Sequence, residues 1–406
     1  MSENWLDEIL QQVQKPGRYA GGEWNAVRKD PSSVKLKVAL AFPDLYEVGM
    51  SYLGQKILYH ILNLRPDVLA ERVFAPWPDF EDALRRHGRP LFSLENRIPL
   101  EAFDILGFSL LYELNYSNIL TILDLGRIPR TAKERAIGHP LVVAGGPAAF
   151  NPEPVAEIFD LFLIGDGEEA FPEIVDFCLN HKPTVGGRAE LLSAISALPG
   201  IYVPSLFRTF LPSGAALLAV RPEEGMPAAV EKRVCIPFSE APFPEDIIVP
   251  NLQVIHDRAV IEVERGCPQN CRFCQARQIY FPTRPKSPGV VLERALNSVA
   301  STRYEDVSLA ALSVGVYTHL EGLITRLMSE LEEPRVALSL PSLRPGGLTP
   351  ELVEQILRVR KTGFTLVPEA GTERLRRVIN KHLDDQHLFR AAETAFANGW
   401  RKLKLY

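Results

Sequence analysis

No stretch of this chain approaches the roughly 18 apolar residues that a membrane-spanning helix needs. Its first residues, Met1 to Glu8, also lack a basic region followed by an apolar one. Neither a span nor a secretory leader is expected, and the chain reads as a cytosolic protein with no membrane partner. Charge of one sign is lacking too: 45 Lys and Arg stand against 50 Asp and Glu, a net charge of −5. Composition therefore gives no general pull toward nucleic acid or an anionic surface. No repeat of fixed period is present, which excludes a solenoid, and no low-complexity tract occurs. Cysteine is scarce, five in 406 residues, and the clustering of three of them in a leaderless chain points to a reducing compartment rather than to disulfides. What is there, 46% hydrophobic and 23% charged residues, is the balance of a globular protein long enough for two or three domains.

The clustered cysteines lie in Glu264-Arg265-Gly266-Cys267-Pro268-Gln269-Asn270-Cys271-Arg272-Phe273-Cys274, a C-x3-C-x2-C spacing with Phe273 before the last thiol. The apolar run Ala259–Val263 leads straight into it and reads as a strand. Three thiolates on a tight loop suit three irons of a four-iron cluster and leave the fourth iron open. Electron-transfer clusters usually have every iron held by protein, so an open iron suggests a cluster that binds something else. Zinc is the alternative, in a closed structural site with four N or S ligands, and would make the chain a non-catalytic binding module. No fourth ligand is evident: His256 precedes the strand, and Cys235 lies upstream in a Pro-rich segment. Unliganded thiols are the third reading.

Around that stretch the chain divides into four parts. Residues 1–34 form an arm, with a helix at Trp5–Val13 and then the glycine-rich, aromatic Lys15–Asn25, whose two aromatics favour a strap over a mobile tail. Residues 35–180 alternate apolar strands (Lys37–Phe42, Arg72–Ala75, Ile105–Leu111, Leu141–Ala144, Leu161–Ile164) with helical patterns such as Tyr52–Leu64 and Asn118–Leu125. That alternation predicts an α/β fold, a Rossmann- or flavodoxin-like parallel sheet, with ligands at the strands' carboxyl ends near a topological switch point. Residues 181–253 are a Pro-rich linker with short strand-like pieces such as Ala215–Val220. Residues 254–406 alternate again, with strands at Ala259–Val263, Asp306–Ser313, Arg335–Leu340, Phe364–Val367 and Arg401–Tyr406. This second alternation fits a TIM-like (βα) barrel, partial or full, with its site at the carboxyl ends of the strands.

The strand ends of the first alternating region carry Asp44-Leu45-Tyr46-Glu47-Val48-Gly49, then Ser109-Leu110-Leu111, then Gly145-Gly146. Together they resemble the cobalamin-binding domain, whose pattern is D-x-H-x-x-G, S-x-L and G-G. The resemblance implies that Asp44, Gly49, Ser109, Leu111, Gly145 and Gly146 surround a corrinoid and its nucleotide tail. Tyr46 stands where the family's histidine coordinates cobalt, and a phenol, with an ordinary pKa of about 10, is a poor ligand at neutral pH. A corrinoid here is expected to lack imidazole from this loop. The other reading is an empty fold, with Asp44 and Gly49 in a capping turn and the glycines in an ordinary strand-to-helix turn.

The cysteine spacing resembles the radical S-adenosylmethionine (SAM) superfamily, and so does Pro368-Glu369-Ala370-Gly371-Thr372-Glu373-Arg374-Leu375. The resemblance implies a [4Fe-4S] cluster on Cys267, Cys271 and Cys274, and reductive cleavage of SAM to a 5′-deoxyadenosyl radical. It also implies an external one-electron reductant such as flavodoxin or ferredoxin. The backbone near Phe273 would lie along the adenine, and Ser313, Gly315, Ser339 and Glu369 would contact SAM, although only Gly315 remains of the family's G-G-E-like turn. Arg277 and Arg284 offer an anion site or an exposed helix and loop, and Arg374, Arg376, Arg377 and Lys381 read as a solvated helix face. The strand count reaches five, ending inside Lys402–Tyr406, where such domains have six, so the chain is expected to be a fragment. The substrate is not legible.

Overall fold

The computed structural model describes residues 5–181, 187–213, 219–341 and 365–406, together with Val353, Gln355 and Val359. The chain forms two compact units: Met1–Cys235 with Pro242–Pro244 and Ile248–Ile255, and Ile236–Ala241 with Glu245–Ile247 and His256–Tyr406. The stretch set apart as a linker is thus shared between them.

The first unit is built on β1 (Leu36–Phe42), β2 (Val68–Phe74), β3 (Ile105–Ser109), β4 (Leu141–Gly145), β5 (Leu161–Leu163) and β6 (Ile201–Tyr202), in the order β2-β1-β3-β4-β5-β6. The first five are parallel and β6 is an antiparallel edge. Helices Leu53–Asn63, Tyr116–Leu125 and Gly167–Asn180 intervene, and two apolar clusters form from alternate strand positions, Ala39 and Ala41 in one, Val38 and Leu40 in the other. A sheet covered on both faces needs continuously apolar strands, and that is how Leu36–Phe42 reads. The order reverses between β1 and β3, which makes their carboxyl ends the switch point.

Two strand boundaries of this unit differ from the expectation by more than one residue. The second strand begins at Val68 rather than Arg72, because Glu71 and Arg72 are inside it and fully buried. Arg72 lies 3.0 Å from Glu23 and 2.6 Å from Glu95, and Glu71 accepts from Ser93 and Asn96. The third strand stops at Ser109, because the Leu110 N–H donates to Gly145 O and the Leu110 carbonyl accepts from Ala148, turning the chain. The arm is a strap. Tyr19 stacks on Phe80 with centroids 3.8 Å apart and Arg18 holds Glu47, whereas Trp24 is exposed. A short hairpin, β7 (Phe207–Phe210) with β8 (Ala219–Pro222), also belongs to this unit. Of the expected strand-like piece Ala215–Val220, residues 215–218 lie outside the described residues.

In the second unit β9 (Ala259–Glu262) runs into β10 (Glu264–Arg265), which pairs antiparallel with β11 (Arg284–Pro285). Helix Pro288–Thr302 then leads to β12 (Asp306–Ala310), and helix Leu320–Leu331 to β13 (Ala337–Ser339). β9, β12 and β13 are parallel neighbours in chain order, as successive βα units of a barrel are. β14 (Thr365–Leu366) pairs in parallel with β15 (Lys404–Leu405) across helices Glu373–Val378 and Asp385–Ala397. Phe364, expected in the fourth strand, lies outside the described residues. Among the described residues these five strands form two separate parallel sheets.

Candidate functional site

The cysteine loop is shaped by its glycine. Gly266 has φ +90°, and a Cβ there would lie 2.7 Å from Pro282 O and 2.8 Å from Tyr280 O. No L side chain is accommodated, so the chain turns off β10 at this point and presents Cys267. The Cys274 N–H donates to Cys271 O at 3.2 Å, and Cys274 precedes the short helix Gln275–Ile279. All three cysteines are half-buried and outside any disulfide, and Phe273, between Cys271 and Cys274, is 53% exposed. Accessible thiols from one loop form a soft donor set of the kind that holds iron–sulfur clusters. Among the described residues no three His, Cys, Asp or Glu side chains gather round a single ion position. The remaining two cysteines belong to the first unit. Burial, and then the charge of Asp104, pushes the Cys178 thiol up to about 12, and Cys235 is buried with Sγ 4.0 Å from Glu169.

A second segment grips this loop. Arg272 donates its backbone N–H to Ile379 O at 3.0 Å and its guanidinium to Val378 O at 2.6 Å. The Asn380 side-chain amide donates to Asn270 O at 2.6 Å. This segment begins at Glu369, a non-glycine residue at φ +66° whose N–H donates to Tyr406 O and whose carboxylate accepts from Lys381 at 3.2 Å. A costly backbone conformation held by its surroundings is common at ligand sites. Thr372 caps helix Glu373–Val378 by accepting from Leu375 N. Here one expectation is corrected: Arg376 is not on a solvated face but fully buried, donating to Ala370 O, Leu383 O and Asp385. Lys381 is buried with it, whereas Arg377 is exposed. Arg284 is also inward, donating to Pro282 O and Tyr280 O.

The other residues singled out for SAM separate by position. Ser313 follows β12, is 5% exposed, and its Oγ has no hydrogen-bond partner among the described residues. Gly315, half-buried, sits in the turn Val314–Val316 just beyond it. Ser339 ends β13, level with Ser308 and Val260 two residues before the ends of β12 and β9, and accepts from Arg258 at 3.3 Å. Spacing gave no signal for Asn380 or Arg272, whose placement depends on tertiary contacts.

In the first unit the switch point gathers Asp44, Ser109 and the Gly145-Gly146 turn. Asp44 accepts from the Tyr112 hydroxyl at 2.8 Å and from Leu45 N at 2.7 Å. Ser109 stands beside Gly145 in register, with Leu111 half-buried just beyond. Gly146, at φ +105°, would put a Cβ 2.6 Å from Leu110 O, but at Gly145 a Cβ would meet only Leu163, at 3.8 Å. At the start of helix Tyr116–Leu125 the Tyr116 hydroxyl is buried without a hydrogen-bond partner among the described residues. Gly49 is required by packing, since a Cβ would lie 2.2 Å from the Phe74 ring. Tyr46 is 1% exposed: its hydroxyl donates to Glu23 at 3.1 Å and accepts from Asn251 N at 3.3 Å. Burial, then the Glu23 charge, raises its pKa far above the ordinary phenol value. Position 46 thus serves the core.

The family profile described as "Radical SAM proteins, N-terminal" matches residues 54–204, and that of the "Radical SAM superfamily" matches 261–405. An uncharacterized protein of Methanocaldococcus jannaschii, MJ0966, is 28% identical over 371 residues, 91% of this chain and 68% of that one. Among solved structures, the cobalamin-dependent S-adenosylmethionine radical enzyme OxsB with aqua-cobalamin bound is similar at TM-score 0.57 and 15% identity, over 91% of this chain and 49% of that one. The radical S-adenosylmethionine methyltransferase TsrM from Kitasatospora setae, with cobalamin and a [4Fe-4S] cluster bound, is similar at TM-score 0.57 and 14% identity, over 92% and 69%. The chain spans about half the length of OxsB. The two profiles cover more than half of the sequence and fall one in each alternating region: the chain belongs to the radical SAM superfamily.

Proposed function

We propose that the second unit holds a [4Fe-4S] cluster on Cys267, Cys271 and Cys274, binds SAM, and cleaves it reductively to modify a substrate with electrons from an external one-electron donor. The observation that carries this reading is the cysteine loop: it follows the first strand of a parallel sheet and is clamped by Arg272 and Asn380 to the segment that starts at Glu369. When bound, such a cluster supplies the electron that splits SAM into methionine and a 5′-deoxyadenosyl radical. The chain's own residues do the rest. Gly266 lets the loop turn, the three thiolates hold the iron, Phe273 offers an exposed aromatic face to an adenine, and Glu369 offers a carboxylate to a ribose diol or an ammonium.

The first unit, on this proposal, takes a corrinoid at the switch point, with Asp44, Ser109 and the Gly145-Gly146 turn beside it and no protein ligand from position 46. Similarity to OxsB and TsrM, both described with cobalamin bound, supports that reading, and methyl transfer to carbon or phosphorus is the reaction it suits. The test is anaerobic reconstitution with iron and sulfide, then incubation with SAM and dithionite. Four iron and four sulfide per chain and formation of 5′-deoxyadenosine are expected, both lost in Cys267→Ala, Cys271→Ala and Cys274→Ala and retained in Cys178→Ala and Cys235→Ala. One zinc without sulfide, or a chromophore that depends on Cys235, would overturn the proposal.

A further inference from the structure

The loop that presents the three cysteines, residues 266–283, leaves β10 and returns in β11. Those strands pair over only two residues, Glu264 with Pro285 and Arg265 with Arg284, and the Lys286 N–H donates to Val263 O at 2.8 Å just beyond. A two-stranded pairing this short is marginal by itself. Its side chains add a further cost. Residues opposite each other in an antiparallel pair share a face, and side chains alternate along a strand, so Arg265, Arg284 and Lys286 lie on one face of this stem. Like charges directly opposite are destabilising, and two of the three are almost fully enclosed: Arg284 is 8% exposed and Lys286 3%.

All three cations converge on an aromatic ring from another part of the chain. Phe238 is 3% exposed, with the Lys286 ammonium 3.1 Å from its ring centroid, the Arg265 guanidinium carbon 4.5 Å away and that of Arg284 5.4 Å away. The face of an aromatic ring is the negative part of its quadrupole, and it attracts cations most strongly where water is excluded. Phe238 O also accepts from the Lys286 ammonium at 3.4 Å. Glu262 takes Arg265 at 2.9 Å, and Arg284 donates to Pro282 O and Tyr280 O at the returning end of the loop. The ring is held in turn. Arg294, on helix Pro288–Thr302, donates to Ser239 O at 3.3 Å and to Ala241 O at 2.6 Å, and the Ser239 hydroxyl accepts from Ser287 N at 3.0 Å. Phe238 comes from the Pro-rich stretch read from the sequence as a linker, yet it belongs to the same compact unit as the cysteines.

We propose that Phe238 is a positioning residue for the cysteine loop: its ring gathers the three cations of the stem and so holds together the two ends from which Cys267, Cys271 and Cys274 are presented. What the loop is positioned for rests on the function proposed above. The experiment compares the full chain as wild type, as Phe238→Leu, which keeps an apolar side chain but removes the aromatic face, and as Phe238→Tyr, which keeps the face. Before reconstitution, amide hydrogen exchange over residues 263–286 should rise about tenfold in Phe238→Leu, the order that a desolvated cation–π contact supplies. In Phe238→Tyr it should stay close to wild type, and helix Leu320–Leu331 of the same unit should exchange as in wild type in both variants. After reconstitution with iron and sulfide, Phe238→Leu should lose iron to a chelator severalfold faster than wild type, and Phe238→Tyr at nearly the wild-type rate. Equal rises in the two variants, or a rise spread over the whole second unit, would make Phe238 an ordinary core residue and overturn the inference. Unchanged exchange in Phe238→Leu would also overturn it, because the stem would then close without the ring. If wild type takes up no iron and sulfide, the proposed function falls, and exchange alone then decides whether Phe238 orders the loop.

Discussion

Asn380 donates its side-chain amide to the carbonyl of Asn270 across 2.6 Å, fastening the end of helix Glu373–Val378 to the loop between Cys267 and Cys271. Asn380 itself sits at φ +57°, a left-handed conformation that asparagine and glycine tolerate and alanine resists. Asn380→Gly therefore keeps the backbone and removes the bond, whereas Asn380→Ala adds strain. A single neutral hydrogen bond contributes about 1 kcal/mol, so the Gly variant should fold and still take up iron, but lose it to a chelator severalfold faster. Bleaching of the visible chromophore under bathophenanthroline measures this. Equal rates would show that the clamp does not hold the loop.

The arm is predicted to depend on one buried cluster of three charges. Arg72 is 1% exposed and lies between Glu23 and Glu95. Breaking a buried pair by removing one partner strands the other and costs several kcal/mol. Glu23→Gln should destabilise the first unit by about 3 kcal/mol, the low end of that range, because Glu95 remains. Amide hydrogen exchange should rise first in residues 17–31, where the strap is anchored. Urea unfolding together with exchange mass spectrometry checks both expectations, and a cost below about 1 kcal/mol, typical of an exposed pair, would contradict the first.

These charges mark the limit of what could be read from the sequence. β1 was legible because its seven residues are nearly all apolar, and the cysteine loop because its spacing is local. β2 was cut short at Arg72 because a charge inside a strand looks like a terminus until Glu23 and Glu95 arrive from other segments. Arg376 misled in the same way: three neighbouring cations suggest solvent, yet its carbonyl partners and Asp385 carry it into the interior. Tyr46 was placed at a ligand position by pattern, and only the fold reveals Glu23 and Asn251 at its hydroxyl.

Acid should loosen the strap through Glu47. Burial by itself would raise this carboxyl, but hydrogen bonds from Arg18 and Lys15 outweigh it and hold the pKa down to about 2, against 4.5 unfolded. A depressed folded value means the contribution is fully present above pH 4.5 and is lost as pH falls from there toward 2. Wild type should therefore lose urea resistance between pH 5 and 3 more steeply than Glu47→Gln, which has no proton to gain there. Urea midpoints at both pH values for the two proteins test this. Parallel slopes would remove Glu47 from the acid response.

Gly145 and Gly146 separate folding from ligand binding at the switch point. At Gly146 an added Cβ would lie 2.6 Å from Leu110 O on a backbone at φ +105°, so Gly146→Ala should lower stability whether or not anything binds. At Gly145 the same methyl meets only Leu163, at 3.8 Å or beyond, an ordinary contact. The folded chain does not itself require glycine there, which leaves room for a ligand as the reason for its use. Gly145→Ala should melt within a degree or two of wild type yet bind hydroxocobalamin at least tenfold more weakly, as read from the corrin absorbance during titration. In wild type the bound Co(II) form should show no nitrogen coupling from a histidine of this loop, because Tyr46 is committed to Glu23 and Asn251. If Gly145→Ala binds the corrinoid as tightly as wild type, the nucleotide tail does not pass this strand end. If wild type does not bind it at tens of micromolar, the first unit keeps the fold of a corrinoid domain without its ligand.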